Sequence, residues 1–169
     1  DKAVLKQLQQ GVSFSLPHII ETELAELLVE LIPCAEKVRF GKNGSDATSA
    51  AIRLARAYTG KEHIAVCGYH GWQDWYIGST SRDLGIPEST KRLTHPFVYN
   101  DIASLKSTFA QCDGQLAAVI MEPMNIAYPK PGYLESIREF CSQNNVVLIF
   151  DETITGFRFD IGGAHKLFG

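Results

Sequence analysis

Three short stretches carry residue types that can do chemistry together. The first is Gly41-Lys42-Asn43-Gly44-Ser45-Asp46-Ala47, placed where a short extended run gives way to a helix. Glycine lets the backbone turn tightly there, and the N–H groups of a first helical turn attract a phosphate, with the Ser45 hydroxyl as a further donor. The stretch matches neither GxxxxGK[ST] nor GxGxxG, and Ser45 or Asp46 serving only as an N-cap remains the competing reading. The second is Gly68-Tyr69-His70-Gly71-Trp72, followed by Asp74 and Trp75. Rings in a glycine-flanked loop can lie on a planar ligand or simply plug the loop's underside, and His70 can be a packing histidine as well as a base. The third is Asp151-Glu152-Thr153 after the apolar run Val146–Phe150, with Thr155-Gly156-Phe157-Arg158 behind it. A carboxylate emerging from a buried strand needs a cation or several donors. A pyridinium nitrogen, a metal held by the Asp-Glu pair and a bridge to an arginine all satisfy that need. No histidine or further carboxylate follows at ligand spacing, which disfavours metal.

These residues need elements to position them. Leu24, Leu27, Leu28 and Leu31, with glutamates between them, predict an amphipathic helix over 20–32, stopped by Pro33. Val38, Arg39 and Phe40 read as a short strand. A second helix starts near Ser45 or Asp46 and ends at Gly60. His63–Cys67 reads as a strand, followed by a long loop to about Gly85 of the kind that usually carries function. LAAVIM (Leu116–Met121) and VVLIF (Val146–Phe150) are runs expected of strands buried on both faces of a parallel sheet, with a crossover helix over 132–144 between them. Helices alternating with such strands predict an α/β fold, a mostly parallel sheet flanked by helices. Glu122 and Asp151 then fall at carboxyl ends of strands, where ligands of open α/β sheets collect.

Composition narrows the function classes. The 169 residues are 45% hydrophobic and 21% charged, which suits a folded chain rather than a disordered one. A net charge of -3 offers no basic footprint, so nucleic acid is not expected as a partner. No apolar window is long enough for a membrane span, and DKAVLKQLQQ has no signal-peptide core. Cys34, Cys67, Cys112 and Cys141 form no CxxC, which points to reduced, mostly buried thiols in a cytoplasmic protein.

In order and spacing, NGSDA with AAIRLARAYTG, YHGWQDW, AAVIMEPM with PKPGYLE, VVLIFDETITGFR and GGAHKLFG resemble the class III, fold type I pyridoxal-phosphate aminotransferases. Among these the likeness is greatest to enzymes of the glutamate-1-semialdehyde 2,1-aminomutase kind, and it runs from about Phe14 onward. The resemblance implies that Gly44 and Ser45 hold the cofactor phosphate, Tyr69 stacks on the pyridine ring, Asp151 pairs with the ring nitrogen and Thr153 stands against the opposite ring face. It places Glu122 at the site's edge, gives His70 a loop-shaping role, and lets Asn125 approach the ring hydroxyl. It further implies a homodimer acting on a small-molecule amino donor and acceptor, by transamination or aminomutation through aldimine and ketimine intermediates. The family's Schiff-base lysine follows the Asp-Glu motif at a distance that falls beyond Gly169, and Lys166 stands in a different motif. Residues 1–169 are thus expected to form part of the cofactor-binding large domain, without the small carboxy-terminal domain, and to be inactive in isolation. The alternative is a non-catalytic α/β module that keeps a vestigial phosphate site.

Overall fold

The computed structural model describes residues 1–169, which divide into two compact units, 1–39 and 40–169. The first holds two helices, α1 (Lys2–Gln10) and α2 (Ile19–Leu31). His18 caps α2, its ring nitrogen accepting the Ile20 N–H, and no residue of either helix is buried. The expected strand at Val38–Phe40 does not form. Two apolar side chains in that stretch supply no partner strand, and pairing is what makes a strand persist.

The second unit follows the expected alternation closely. It begins with α3 (Gly44–Thr59) and β1 (His63–Cys67), then two single-turn helices, α4 (Asp74–Ile77) and α5 (Glu88–Lys91). β2 (Thr94–Pro96), α6 (Ile102–Gln111), β3 (Leu116–Met121), α7 (Tyr133–Gln143), β4 (Val147–Phe150) and α8 (Ala164–Leu167) complete it. The N-cap of α3 is Asn43, two or three residues earlier than expected: its side chain accepts the Asp46 N–H at 3.0 Å. Gly60 ends the helix in the left-handed region at φ 70°. The long loop after β1 is interrupted by α4, and β2 escapes a sequence reading because it is three residues long and ends in proline.

The four strands are all parallel, in the order β2-β1-β3-β4. The path from β1 moves one way to β2, then back across β1 to β3 and on to β4. Right-handed crossovers moving in opposite directions must use opposite faces of the sheet. Tyr76 of α4 accordingly packs with Ile52 and Ala55 of α3 against Ile64, Val66, Ala118 and Ile120. Leu105 of α6 and Ile137 of α7 pack on the other face against Ala65, Val119 and Met121. β3 is buried along its whole length, whereas β4, at the edge, is only half-buried. The reversal of direction occurs between β1 and β3, and a crevice outside their carboxyl ends is the expected ligand position in such a sheet.

Candidate active site

A cavity of about 430 Å³ opens at that crevice. It is lined by Asn43, Gly44 and Ser45 from the start of α3, Tyr69 to Trp72 after β1, Glu122 after β3, and Asp151, Thr153 and Ile154 after β4. Seven residues singled out in the sequence, Gly44, Ser45, Tyr69, His70, Glu122, Asp151 and Thr153, therefore share one wall-to-wall space. Asn125 is exposed and does not line it. Asn43, Gly71 and Trp72, named above within their stretches but given no cofactor role, also line it, and Ile154 was not among the candidates. Asn43 carries a readable signal, an N-cap residue type just ahead of an apolar helix period, while Ile154 gives none.

The loop after β1 is fastened to α3. The Thr48 hydroxyl donates to the His70 carbonyl at 2.9 Å, and the Trp72 N–H donates to Ser45 Oγ at 3.3 Å. Gly71 sits at φ +102°, and a Cβ there would collide with the Ser45 side chain, so only glycine permits this closeness. Gly68, at φ +107°, likewise faces the Glu122 carboxyl, whose Oε1 accepts the Tyr69 N–H at 3.3 Å. With Asn43 capping Asp46, the N–H groups of Gly44 and Ser45 are the donors left in the first turn of α3.

Asp151 is the best-supported carboxylate lining the cavity. Its Oδ1 accepts the Thr153 hydroxyl at 2.7 Å and the Thr153 N–H at 3.1 Å, and its Oδ2 lies 3.0 Å from His70 Nδ1. Burial alone pushes its carboxyl up, but the bonds from His70 and Thr153 outweigh that and hold it below the usual carboxylate range. His70 is fully enclosed, and its Nε2 lies 3.1 Å from the Cys67 carbonyl, so both ring nitrogens face acceptors. A neutral ring can donate to only one of them and a doubly protonated ring to both. The histidine expected to shape the loop is thus also the direct neighbour of the carboxylate. A carboxylate has about four acceptor positions, and three partner atoms leave Oδ2 able to take one more donor from the cavity side.

Glu152 turns elsewhere. It accepts the Thr155 hydroxyl at 2.7 Å, the Ala164 N–H at 2.6 Å and the His165 N–H at 3.1 Å, and its Oε1 lies 2.5 Å from His165 Nδ1. Burial pushes its carboxyl up, and these bonds bring it below its ordinary value. Asp151 and Glu152 consequently do not converge on one point, which removes the metal-pair reading of that dipeptide. Arg158 donates to the Ile154 carbonyl at 2.8 Å rather than bridging to Asp151. No lysine lines the cavity.

The profile of the family described as aminotransferase class-III matches residues 1–169. The chain is 44% identical over 176 residues to a 3-aminobutyryl-CoA aminotransferase of Cloacimonas acidaminovorans (strain Evry), covering 100% of this chain and 42% of that protein. It is 41% identical over 187 residues to a glutamate-1-semialdehyde 2,1-aminomutase of Cytophaga hutchinsonii, covering 100% of this chain and 43% of that protein. A solved structure of a transaminase with PLP bound superposes with a TM-score of 0.91 at 29% identity, over 99% of this chain and 43% of that one. The chain thus spans about two-fifths of the length of the proteins it matches.

Proposed function

The chain belongs to the class-III aminotransferase family, and from that premise we propose that its cavity binds pyridoxal 5'-phosphate in an enzyme that moves an amino group. The observation that carries the reading is the charge layout of one cavity: helix-end N–H donors at Gly44 and Ser45, and an ionised, donor-supported Asp151. These residues fit the cofactor, whose phosphate is an anion and whose ring nitrogen is a cation. Bound there, the cofactor supplies an electron sink for the pair released when a substrate C–H bond breaks.

Gly44 and Ser45 bind the phosphate through backbone N–H groups and the Ser45 hydroxyl, aided by the dipole of α3. Asp151 holds the proton on the ring nitrogen, because an anion in a shielded site favours the charged form of its partner. His70 and Thr153 position that carboxylate, and Thr153 and Tyr69 would hold the ring. Tyr69 is 62% exposed, so its ring is available to stack, and Glu122 closes the edge of the site while tying down the Tyr69 backbone. The lining offers no amine, so a lysine must reach this cavity from elsewhere in the protein for turnover. The same observation favours a second reading for the chain taken alone, a cofactor-binding module without catalysis.

Small-molecule amino donors and acceptors, a homodimer and a cytoplasmic location complete the proposal. No helix is long and apolar enough to cross a membrane. Titration of the protein with pyridoxal phosphate, followed by Trp72 and Trp75 fluorescence, tests the reading. Saturable quenching that Asp151→Asn weakens supports it, and equal quenching in both proteins refutes it.

A further inference from the structure

A second cluster of chemistry-bearing side chains lies at the opposite end of the sheet. His63 opens β1, and His95 in β2 pairs with Ala65, two residues further along, so alternation puts both imidazoles on the same face. That is the face covered by α6 and α7, and α6 delivers Cys112, its C-terminal cap, to the same place. The turn after it is tied to β1, the His63 N–H donating to the Gln115 carbonyl at 3.1 Å. His63 Nδ1 and His95 Nε2 are 2.8 Å apart, and one ring nitrogen of each histidine and Cys112 Sγ all lie within 4.8 Å of one another. Cys112 is buried and the two histidines half-buried.

We propose that His63, His95 and Cys112 form a zinc(II) site. Two imidazoles and a thiolate suit a borderline-soft ion, and the absence of carboxylate among the donors argues against magnesium or calcium. Tetrahedral zinc with Zn–N of about 2.0–2.1 Å and Zn–S of about 2.3 Å separates its donors by roughly 3.3–3.6 Å. The 2.8 Å between the two imidazoles falls just short of that range and no donor pair exceeds 4.8 Å, so the ion fits after shifts on the order of 1 Å. Of the two facing ring nitrogens one carries a proton and one accepts it. Binding breaks that N–H···N contact, the proton passes to the outer nitrogen of its own ring, and the Cys112 thiol releases its proton to solvent. Two neutral imidazoles and one thiolate then hold the metal, with water as the fourth ligand. The ion ties together β1, β2 and the end of α6. β1 carries its other end, about 13 Å away at a rise of about 3.3 Å per residue, to the cofactor cavity, so the site is separate from it.

The test uses the full chain, stripped with chelator and dialysed against zinc, with metal per chain measured by mass spectrometry. One zinc per chain is expected, and cobalt(II) in its place should give a thiolate-to-cobalt charge-transfer band. Cys112→Ser should abolish that band, and Cys112→Ser and His95→Gln should each weaken zinc binding at least about 10- to 100-fold, since even losses around a metal's ligands cost that much. Circular dichroism reports whether each variant folds. Zinc well below one per chain, no charge-transfer band in the unsubstituted protein, or folded variants that bind zinc unchanged would each overturn the assignment. Should Cys112→Ser fail to fold, the cobalt spectrum of the unsubstituted protein decides.

Discussion

Replacing Asp151 by alanine and by asparagine separates its two jobs. Alanine removes the acceptor of the Thr153 hydroxyl and N–H and the partner of a fully enclosed His70 nitrogen. Leaving a buried polar group unsatisfied costs about 1–3 kcal/mol, so the alanine variant should lose that much stability. Asparagine keeps the shape. Its oxygen can accept from Thr153, and its amide can donate to His70 Nδ1 while Nε2–H donates to the Cys67 carbonyl, which keeps the loss below about 1 kcal/mol. Cofactor affinity should fall in both, because each lacks the charge proposed to pair with the ring nitrogen. A charge-assisted hydrogen bond of about 1.5–3 kcal/mol corresponds to about a 10- to 150-fold rise in Kd. Urea unfolding followed by circular dichroism gives the first quantity, and pyridoxal phosphate titration by tryptophan fluorescence gives the second. An asparagine variant that binds the cofactor as tightly as the unsubstituted protein refutes the role given to the charge. One that unfolds as easily as the alanine variant refutes the hydrogen-bond reasoning.

Gly71→Ala should destabilise by about 2–5 kcal/mol, the sum of left-handed backbone strain and overpacking against Ser45, and an unchanged urea midpoint would contradict the close approach. Ile137→Ala, at a fully buried position on α7, should cost about 2–5 kcal/mol, while the folded variant keeps its affinity for pyridoxal phosphate; a loss near zero would mean that α7 is not packed on the sheet as described. Asp151 and Glu152 both have carboxyls held below their ordinary values, so their stabilisation is complete above about pH 4–5, the range of unfolded carboxylates, and is lost as pH falls through the lower folded values. Glu152→Gln should therefore flatten the acid limb of a stability-against-pH curve, and should speed tryptic cleavage at Arg158 and Lys166 by loosening the bonds to Ala164 and His165; equal acid sensitivity in the two proteins would count against it.

What the sequence determined by itself was local. Apolar period, N-cap chemistry and Gly60 were enough for α2 and α3, and β-branched runs were enough for β1, β3 and β4, because each signal lies within one element. The order of acidic residues after strands and glycines before a helix was also enough to nominate the residues that line one cavity. Tertiary structure decided whatever depends on pairing between distant segments. Val38–Phe40 found no partner and stayed out of the sheet, while Thr94–Pro96, short and proline-bearing, became a strand because β1 lay beside it. His70 and Asp151 are 81 positions apart, and only the strand order puts one loop's imidazole against the other's carboxylate. The same holds for His63, His95 and Cys112, ordinary residues in separate elements until the parallel register of β1 and β2 and the end of α6 bring their donor atoms together. Local propensity acts over a few residues, but a site is a statement about three-dimensional distance, and that is set by the packing of the whole sheet.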